Sequence, residues 1–442
     1  MTHLESLFAF LRFQSVSADP AYRSQVSECA EWLSRRFAAM GLESVAWPTA
    51  GHPVVLARSR PRPGLRTLLI YGHYDVQPVD PLALWKTPPF EPRVEEGKIY
   101  ARGAADNKGQ IMAHLLGVEE LLKAGKELPV NVIFLVEGEE EVGSPHLEAF
   151  LREHGGELRP DIIAISDTGM VAPGIPSLTY GLRGVLAMEV RLRGAAHDLH
   201  SGIYGGMVPN PATLLARLIA TLHDESFRVA VPGFYDAVLP LAEWERREWA
   251  ALPLDDAALC ASSESRALFG EAGFTPLERV WARPTAEVNG IGGGYQGEGS
   301  KTVLPGEAFA KLTFRLVPDQ TPAEIEAKVR AHLQAHTPPE VTLEISPGHG
   351  GEPFLCDPNS PDGLAARRAV ARTWGREPAL IREGGSIPIL QTFRRLLKTD
   401  ILLLGLALPD CAAHAPNENF PVENLEAGIR LNQALLEELA RV

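Results

Sequence analysis

Apolar residues fall into two kinds of run along the chain. Short continuous runs occur at TLLIY (67–71), VNVIFLV (130–136), DIIAIS (161–166) and DILLLGLAL (400–408). Other stretches show helical spacing. Arg23 to Met40 carries Val26, Ala30, Leu33 and Phe37 on one stripe, with Gly41 as a C-terminal stop. Lys108 to Lys123, residues 362–375 and a segment after Ser386 read as further helices. Strands apolar on both faces, alternating with helices, predict a mostly parallel sheet covered by helices. Chemistry in such sheets gathers at the carboxyl ends of the strands. The opening MTHLESLFAFLRFQ reads as an amphipathic helix with Leu4, Leu7, Phe8 and Leu11 on one face, and Glu5 stands where a signal peptide would be basic.

Near Tyr180 the pattern changes. VLAMEVRLRG (185–194) alternates, placing Leu186, Met188, Val190 and Leu192 on one face, as a strand with one wet face does. An amphipathic helix follows at 211–224, then strands at 309–317 and 340–346. Between those strands, Thr321-Pro322-Ala323-Glu324 opens a helix with a capping box and an early proline. Together these predict an α+β unit on an antiparallel sheet, bounded by the Gly/Pro-rich PGHGGEP (347–353). Beyond about 354 the α/β pattern returns. The expected division is therefore a catalytic domain formed from 1–180 and 355–442, with a second domain, 181–354, inserted into it.

Composition narrows the function. A chain of 442 residues is long for one core and fits two domains, and a hydrophobic content of 45% is that of an ordinary globular protein. The formal charge of −14 argues against nucleic acid or an anionic membrane as partner. No apolar run approaches the roughly 20 residues of a membrane-spanning helix. Cys29, Cys260, Cys356 and Cys411 form no CxxC pair and no disulfide framework. A cytoplasmic protein is expected.

The candidate chemistry lies at strand ends. FLVEGEEEVGS (134–144) ends a buried-looking strand in four carboxylates, Glu137, Glu139, Glu140 and Glu141, with nothing basic inside the stretch. It is either a solvated acidic loop or a cation site. His73 and Asp75 follow TLLIY at i and i+2, so an extended chain turns both to one side. Asp106 stands where an extended segment becomes a helix, and Asp167 ends the third apolar strand; each is a helix or turn cap, or a ligand. His414 sits in a loop after the last apolar strand. Singly these residues fit caps and loops. Together they offer imidazole and carboxylate ligands without thiolate, a set that suits zinc, with manganese or cobalt as alternatives. Two such metals would share a bridging carboxylate and leave positions open for water and substrate.

The ordered segments GHYDVQPVD, ARGAADNKGQ, VEGEEEVGS, ISDTG, DLHSGIYGG, REGGSIP and AHAPNE resemble the dinuclear-zinc exopeptidase family of carnosinase, carboxypeptidase G and aminoacylase. DLHSGIYGG, SKTVLP, FRLVPDQTP and REGGSIP are most similar to its carnosinase-like dipeptidase branch. The resemblance implies that two divalent ions, zinc above all, are held by His73 and Asp167 on one side and by Glu141 and His414 on the other, with Asp106 bridging. It implies that Glu140 is the general base acting on a water between the metals, and that Asp75 orients His73. It implies a ferredoxin-like lid and dimerisation domain. His200 would supply an oxyanion donor across a homodimer interface. Arg315, Thr302, Gly385 and Ser386 would hold the substrate carboxylate, with His349 in a Gly-rich loop near the substrate. Ser386 would open a helix whose N-terminus favours anions.

The remaining groups read as structural. Glu137 and Glu139 are loop carboxylates, His114 is a helix histidine, His146 and His154 flank a surface helix, and His197 falls outside the matching pattern. The leading function is hydrolysis of dipeptides or short peptides. N-acyl- or N-carbamoyl-amino-acid hydrolysis with the same metals is the alternative. A non-catalytic peptide-binding scaffold is the remote one, and it predicts broken ligands where none is broken.

Overall fold

The structure is a computed structural model that describes residues 2–442. Contacts divide it into two compact units. The first comprises the chain through Tyr180, Cys356–Ile381 and Ile389–Val442; the second comprises Gly181–Leu355 and Arg382–Pro388. The short return segment carrying Gly385 and Ser386 thus clusters with the middle of the chain, although it lies beyond 354.

In the first unit the apolar runs form a sheet in the order Glu43–Trp47, Val54–Arg58, Asn131–Glu137, Thr67–His73, Ile162–Ile165, Ile401–Leu403, Ser177–Leu182. Neighbours from Asn131–Glu137 to Ile401–Leu403 pair in parallel; the flanking strands join antiparallel. The sheet is therefore parallel at its centre and mixed overall. Helices cover both faces. Phe37 of helix Arg23–Ala39 packs on Phe134, and Phe393 of helix Ile389–Leu397 packs on Tyr71. Phe134 is in register with Ile70, so the two ring pairs lie on opposite faces.

Several elements differ in detail from the sequence reading. The last apolar run is a strand only over Ile401–Leu403, because Gly405 passes against the backbone of Gly169, where a Cβ would lie 2.3 Å from the Gly169 carbonyl oxygen. In the N-terminal helix His3–Leu11, Phe10 is buried with Leu7 and Leu11, whereas Leu4 and Phe8 are half-buried. Asn107, not Asp106, precedes the first residue of helix Lys108–Lys123, so the Asp106 side chain is no cap.

The second unit holds a four-stranded antiparallel sheet in the order Thr285–Gly293, Glu307–Leu316, Gly184–Arg193, Thr342–Gly351. Helices Pro211–Ala220 and Pro322–His336 fall between the first and second and between the third and fourth strands in chain order. This is the ferredoxin-like βαββαβ arrangement. Leu186, Met188, Val190 and Leu192 meet Leu215, Leu218, Val329 and Leu333 in one core, as the alternation requires. The sequence reading left out three short helices between 243 and 281. His349 is exposed and belongs to the strand Thr342–Gly351, not to a loop; the glycines produce a register break between Pro347 and Gly350. Ser386 does not open a helix, since the next helix begins at Ile389.

Candidate metal centre and substrate residues

Four adjacent parallel strands deliver the charged groups. Glu140 and Glu141 follow Asn131–Glu137, His73 ends Thr67–His73, Asp167 follows Ile162–Ile165, and the loop after Ile401–Leu403 reaches His414. Asp106 arrives from the segment before helix Lys108–Lys123. Two groups of ligand atoms result, each within 4.8 Å: His73, Asp106 and Asp167, and Asp106, Glu141 and His414. Asp106 belongs to both. Its Oδ1 lies 3.1 Å from His73 Nε2, and its Oδ2 lies 2.9 Å from His414 Nε2. The second group closes with His414 Nε2 at 3.3 Å from Glu141 Oε2.

Whether this set fits metal ions is answered by His73. Its ring is fully buried and its Nε2 makes no hydrogen bond, although two carboxylates face it. A buried, unpartnered imidazole nitrogen is costly unless something else binds it. The donor set is imidazole and carboxylate only, and one carboxylate presents a separate oxygen to each group. These residues fit two divalent ions sharing Asp106.

The protonation tendencies agree. Burial lifts the Glu140 carboxyl well above the usual range, and Asp167, Asp106 and Glu141 add to the lift against the pull of His73. Glu141 and Asp167 are raised by burial and then by Asp106, with His414 and His73 opposing. Burial alone would push His73 down, yet Asp106, Asp167 and Asp75 hold it well above its ordinary value. His414 is carried to about 10 by its bonds to Asp106 and Glu141. The cluster thus crowds carboxylates that resist sharing one site without cations among them.

A supporting layer fixes these ligands. Asp75, fully buried, accepts the backbone N–H groups of Glu140 and Glu141 at 3.3 and 3.1 Å. His73 Nδ1 lies 3.1 Å from the Asp75 carbonyl oxygen and 3.4 Å from its carboxylate. So His73 and Asp75 do lie together, and the nearer contact uses the backbone. Sequence reasoning missed three helpers. Glu418 accepts the N–H groups of Gly103, Ala105 and Asp106 and pairs with buried Arg102. Asn107 donates to Asp167 Oδ1 at 2.9 Å, and Gly72 leaves it room, since a Cβ there would meet Asn107 Oδ1 at 2.7 Å. Gln77 donates to Glu141 Oε2 at 2.8 Å. Glu418 stood inside a quoted motif; the signal was a carboxylate four residues from a ligand histidine.

Glu137 and Glu139 are not solvated loop carboxylates, as expected from the sequence, but buried ones. Glu137 accepts from Tyr71 and Ser144, and burial raises it to about 7. Glu139 pairs with His146. His114 is a core histidine bonded to Ser166.

The other site candidates belong to the second unit. His200 is exposed and pairs with Val303 in a short ribbon beside Thr302, whose carbonyl accepts from Ser201 N–H. His200 Nδ1 accepts from Gly202 N–H at 3.0 Å, which places the proton of the neutral ring on Nε2 and leaves it free to donate. Arg315 and Ser386 are joined, Nη1 donating to Oγ at 3.2 Å, with Gly385 adjacent. Among the described residues His349 makes no side-chain hydrogen bond with any of them, and it is exposed.

Known proteins place the chain. A Cys-Gly metallodipeptidase of Candida albicans is 33% identical over 97% of this chain and 92% of its own. The human Beta-Ala-His dipeptidase is 33% identical over 88% of this chain and 78% of its own. The crystal structure of an M20 family metallo-carboxypeptidase from Sulfolobus solfataricus superposes with a TM-score of 0.87, at 34% identity and with full coverage of both chains. The model of peptidase family M20/M25/M40 matches residues 69–438, and the chain belongs to that family.

Proposed function

We propose that this chain is a metal-dependent dipeptidase that hydrolyses dipeptides or short peptides. The observation that carries the reading is the pair of ligand groups meeting at Asp106, with Glu140 next in the chain to the ligand group of Glu141. Relatives named as dipeptidases support it.

His73, Asp106 and Asp167 would hold one divalent ion, and Asp106, Glu141 and His414 the other; zinc suits the set best. Bound, such ions acidify water and polarise a carbonyl oxygen. Glu140 takes a proton from the attacking water and hands it to the departing amine. Asp75 keeps Glu140 and Glu141 aimed apart by holding both backbone N–H groups. His200 offers an Nε2–H donor to the developing oxyanion. Arg315, with Thr302, Ser386, Gly385 and His349 around the substrate, holds the terminal carboxylate.

We further read the protein as a cytoplasmic homodimer in which His200 of one subunit serves the other's site. Four unpaired cysteines suit a reducing compartment. The edge strand Thr285–Gly293 exposes Val288 and Ile291, 44% and 59% accessible, as a strand awaiting a partner does. Sedimentation at micromolar concentration should give a dimer; a monomer refutes the assignment.

The central test is Glu140→Gln. Turnover should fall by about 10³-fold or more while two metals per chain remain, since removal of a general base costs that much; a variant with near-normal kcat sinks the base assignment. Assays of dipeptides beside N-acetyl and N-carbamoyl amino acids decide between peptidase and amidohydrolase.

A further inference from the structure

A second set of uncompensated charges lies in the middle unit. Arg183 follows strand Ser177–Leu182 and precedes strand Gly184–Arg193. Its backbone is tied twice to the return segment: its N–H donates to the Glu383 carbonyl at 3.2 Å, and its carbonyl accepts from Ser386 Oγ at 2.5 Å. Its guanidinium lies along Gly384, where a Cβ would stand 2.8 Å from Nη2. So Arg183 is fixed in place by the same turn that carries Gly385 and Ser386.

The guanidinium has nothing to bind. Among the described residues no carboxylate reaches ion-pair distance of Arg183 or of Arg315, and the buried Nε of Arg183 has no hydrogen-bond partner. Other shielded arginines of this unit do better: Arg283, on the same cavity wall, grips Glu271 with two bonds of 2.7 and 2.6 Å, and Arg382 pairs with Glu245. Carboxylates are at hand, with Glu287 on the same cavity wall, yet none pairs with either arginine. Burial and then Arg315 lower Arg183 to about 10, with Glu287 opposing, which still leaves it charged at neutral pH. Two unpaired guanidinium groups kept beside one another call for an anion.

Both line one cavity of about 460 Å³ in this unit, with His223 and Glu287 on its wall and Phe227 and Phe269 at its rim. That is room for an amino-acid-sized group. Ser386 links the two arginines. Its single proton goes to the Arg183 carbonyl, and its oxygen accepts from Arg315. The charged donors left for a carboxylate at this turn are the two guanidinium forks.

We propose that Arg183 is a specificity-determining residue, forming with Arg315 a two-armed clamp that selects substrates with a free C-terminal carboxylate. The proposal rests on the dipeptidase reading and adds a residue to it.

The test compares Ala-Ala with its C-terminal amide on the zinc-loaded enzyme. The wild type should favour the acid, and Arg183→Gln should cut the acid-to-amide ratio of kcat/KM about 10- to 100-fold, through KM for the acid, as loss of charge-assisted bonds does. Arg183→Lys, which keeps charge without the fork, should fall between. Arg315→Gln combined with Arg183→Gln should lose less than the product of the single losses, because both arms hold one group. An unchanged acid-to-amide ratio in Arg183→Gln overturns the clamp, as does an equal loss on both substrates, which marks a merely structural role. Calorimetric binding of the same two ligands to zinc-loaded Glu140→Gln reads the clamp without turnover. If the wild type cleaves neither peptide while acid-selective binding is lost in Arg183→Gln, the dipeptidase reading fails and the clamp stands; if binding shows no acid preference, the clamp fails alone.

Discussion

The carboxylate cluster of the first unit and the guanidinium pair of the middle unit both gather like charges, with opposite signs. They differ in what surrounds them. Each metal-site carboxylate rests on a layer of fixed donors: Asp75 holds the backbone of Glu140 and Glu141, Glu418 holds the loop of Asp106, Asn107 holds Asp167 and Gln77 holds Glu141. Arg183 and Arg315 have a glycine turn and one serine hydroxyl. Metal coordination tolerates errors of only about a few tenths of an ångström, and the outer partners of the ligands set their orientation. The cluster that must be more exact carries the deeper support, so changes two contacts away from the ligands should matter there.

The largest break in the comparison is Asp106→Ala. It removes a ligand from both groups at once, so both metals should be lost and kcat/KM should drop by about 10⁴-fold or more. Elemental analysis of the purified variant checks it; two retained metals would show that Asp106 does not bridge. Next comes Glu418→Gln. It keeps size and one acceptor but weakens the grip on three backbone N–H groups and on Arg102. Metal affinity should fall about 10- to 100-fold, the usual effect of an outer partner, read by competition with a chelator. Wild-type affinity would reduce Glu418 to a packing role. A smaller effect should follow metal removal itself. The crowded carboxylates lose their counter-charges, and a ligand at a hundredfold over its Kd contributes about 2.7 kcal/mol. Chelation should therefore lower the melting temperature, and readdition of zinc should restore it; an unshifted melt would mean that the fold does not feel the site.

The sequence brought His73, Glu141 and Asp167 forward because each stands just past an apolar run, and parallel strands align their ends in space. Asp106, before a helix, and His414, in a loop, needed the ordered motifs as well, and the structure gathers all five into two groups. What stayed hidden depends on distances across the chain. Glu418 acts on Gly103 and Ala105 some three hundred residues earlier, and no local pattern joins them. Arg183 drew no attention in the sequence, because the absence of a partner cannot be seen there. Ser386 and His349 were misread for local reasons: a glycine-rich stretch was taken for a helix start in one case and a loop in the other, where tertiary pairing made an extended turn and a strand. The acidic run after Phe134 was half hidden as well, since Glu137 and Glu139 find partners in Tyr71, Ser144 and His146.

A last, gentler probe separates burial from charge. His114 and His73 are both fully buried, yet they titrate in opposite directions. His73 is surrounded by Asp106, Asp167 and Asp75. His114 has no carboxylate beside it; burial drives it from 6.5 to about 3, with only Asn432 opposing. In the folded state His114 therefore stays neutral while the unfolded chain takes up a proton below about 6.5. Its contribution to stability is whole above that pH and is lost as pH falls toward about 3, with a slope of up to about 1.4 kcal/mol per pH unit. His114→Gln, which can keep a bond to Ser166, removes this term. Between pH 6.5 and 5 the wild type should lose about 2 kcal/mol more than the variant in denaturant titrations. Parallel curves would mean that His114 is already protonated in the folded state, and that burial without a neighbouring charge does not govern this face of the helix.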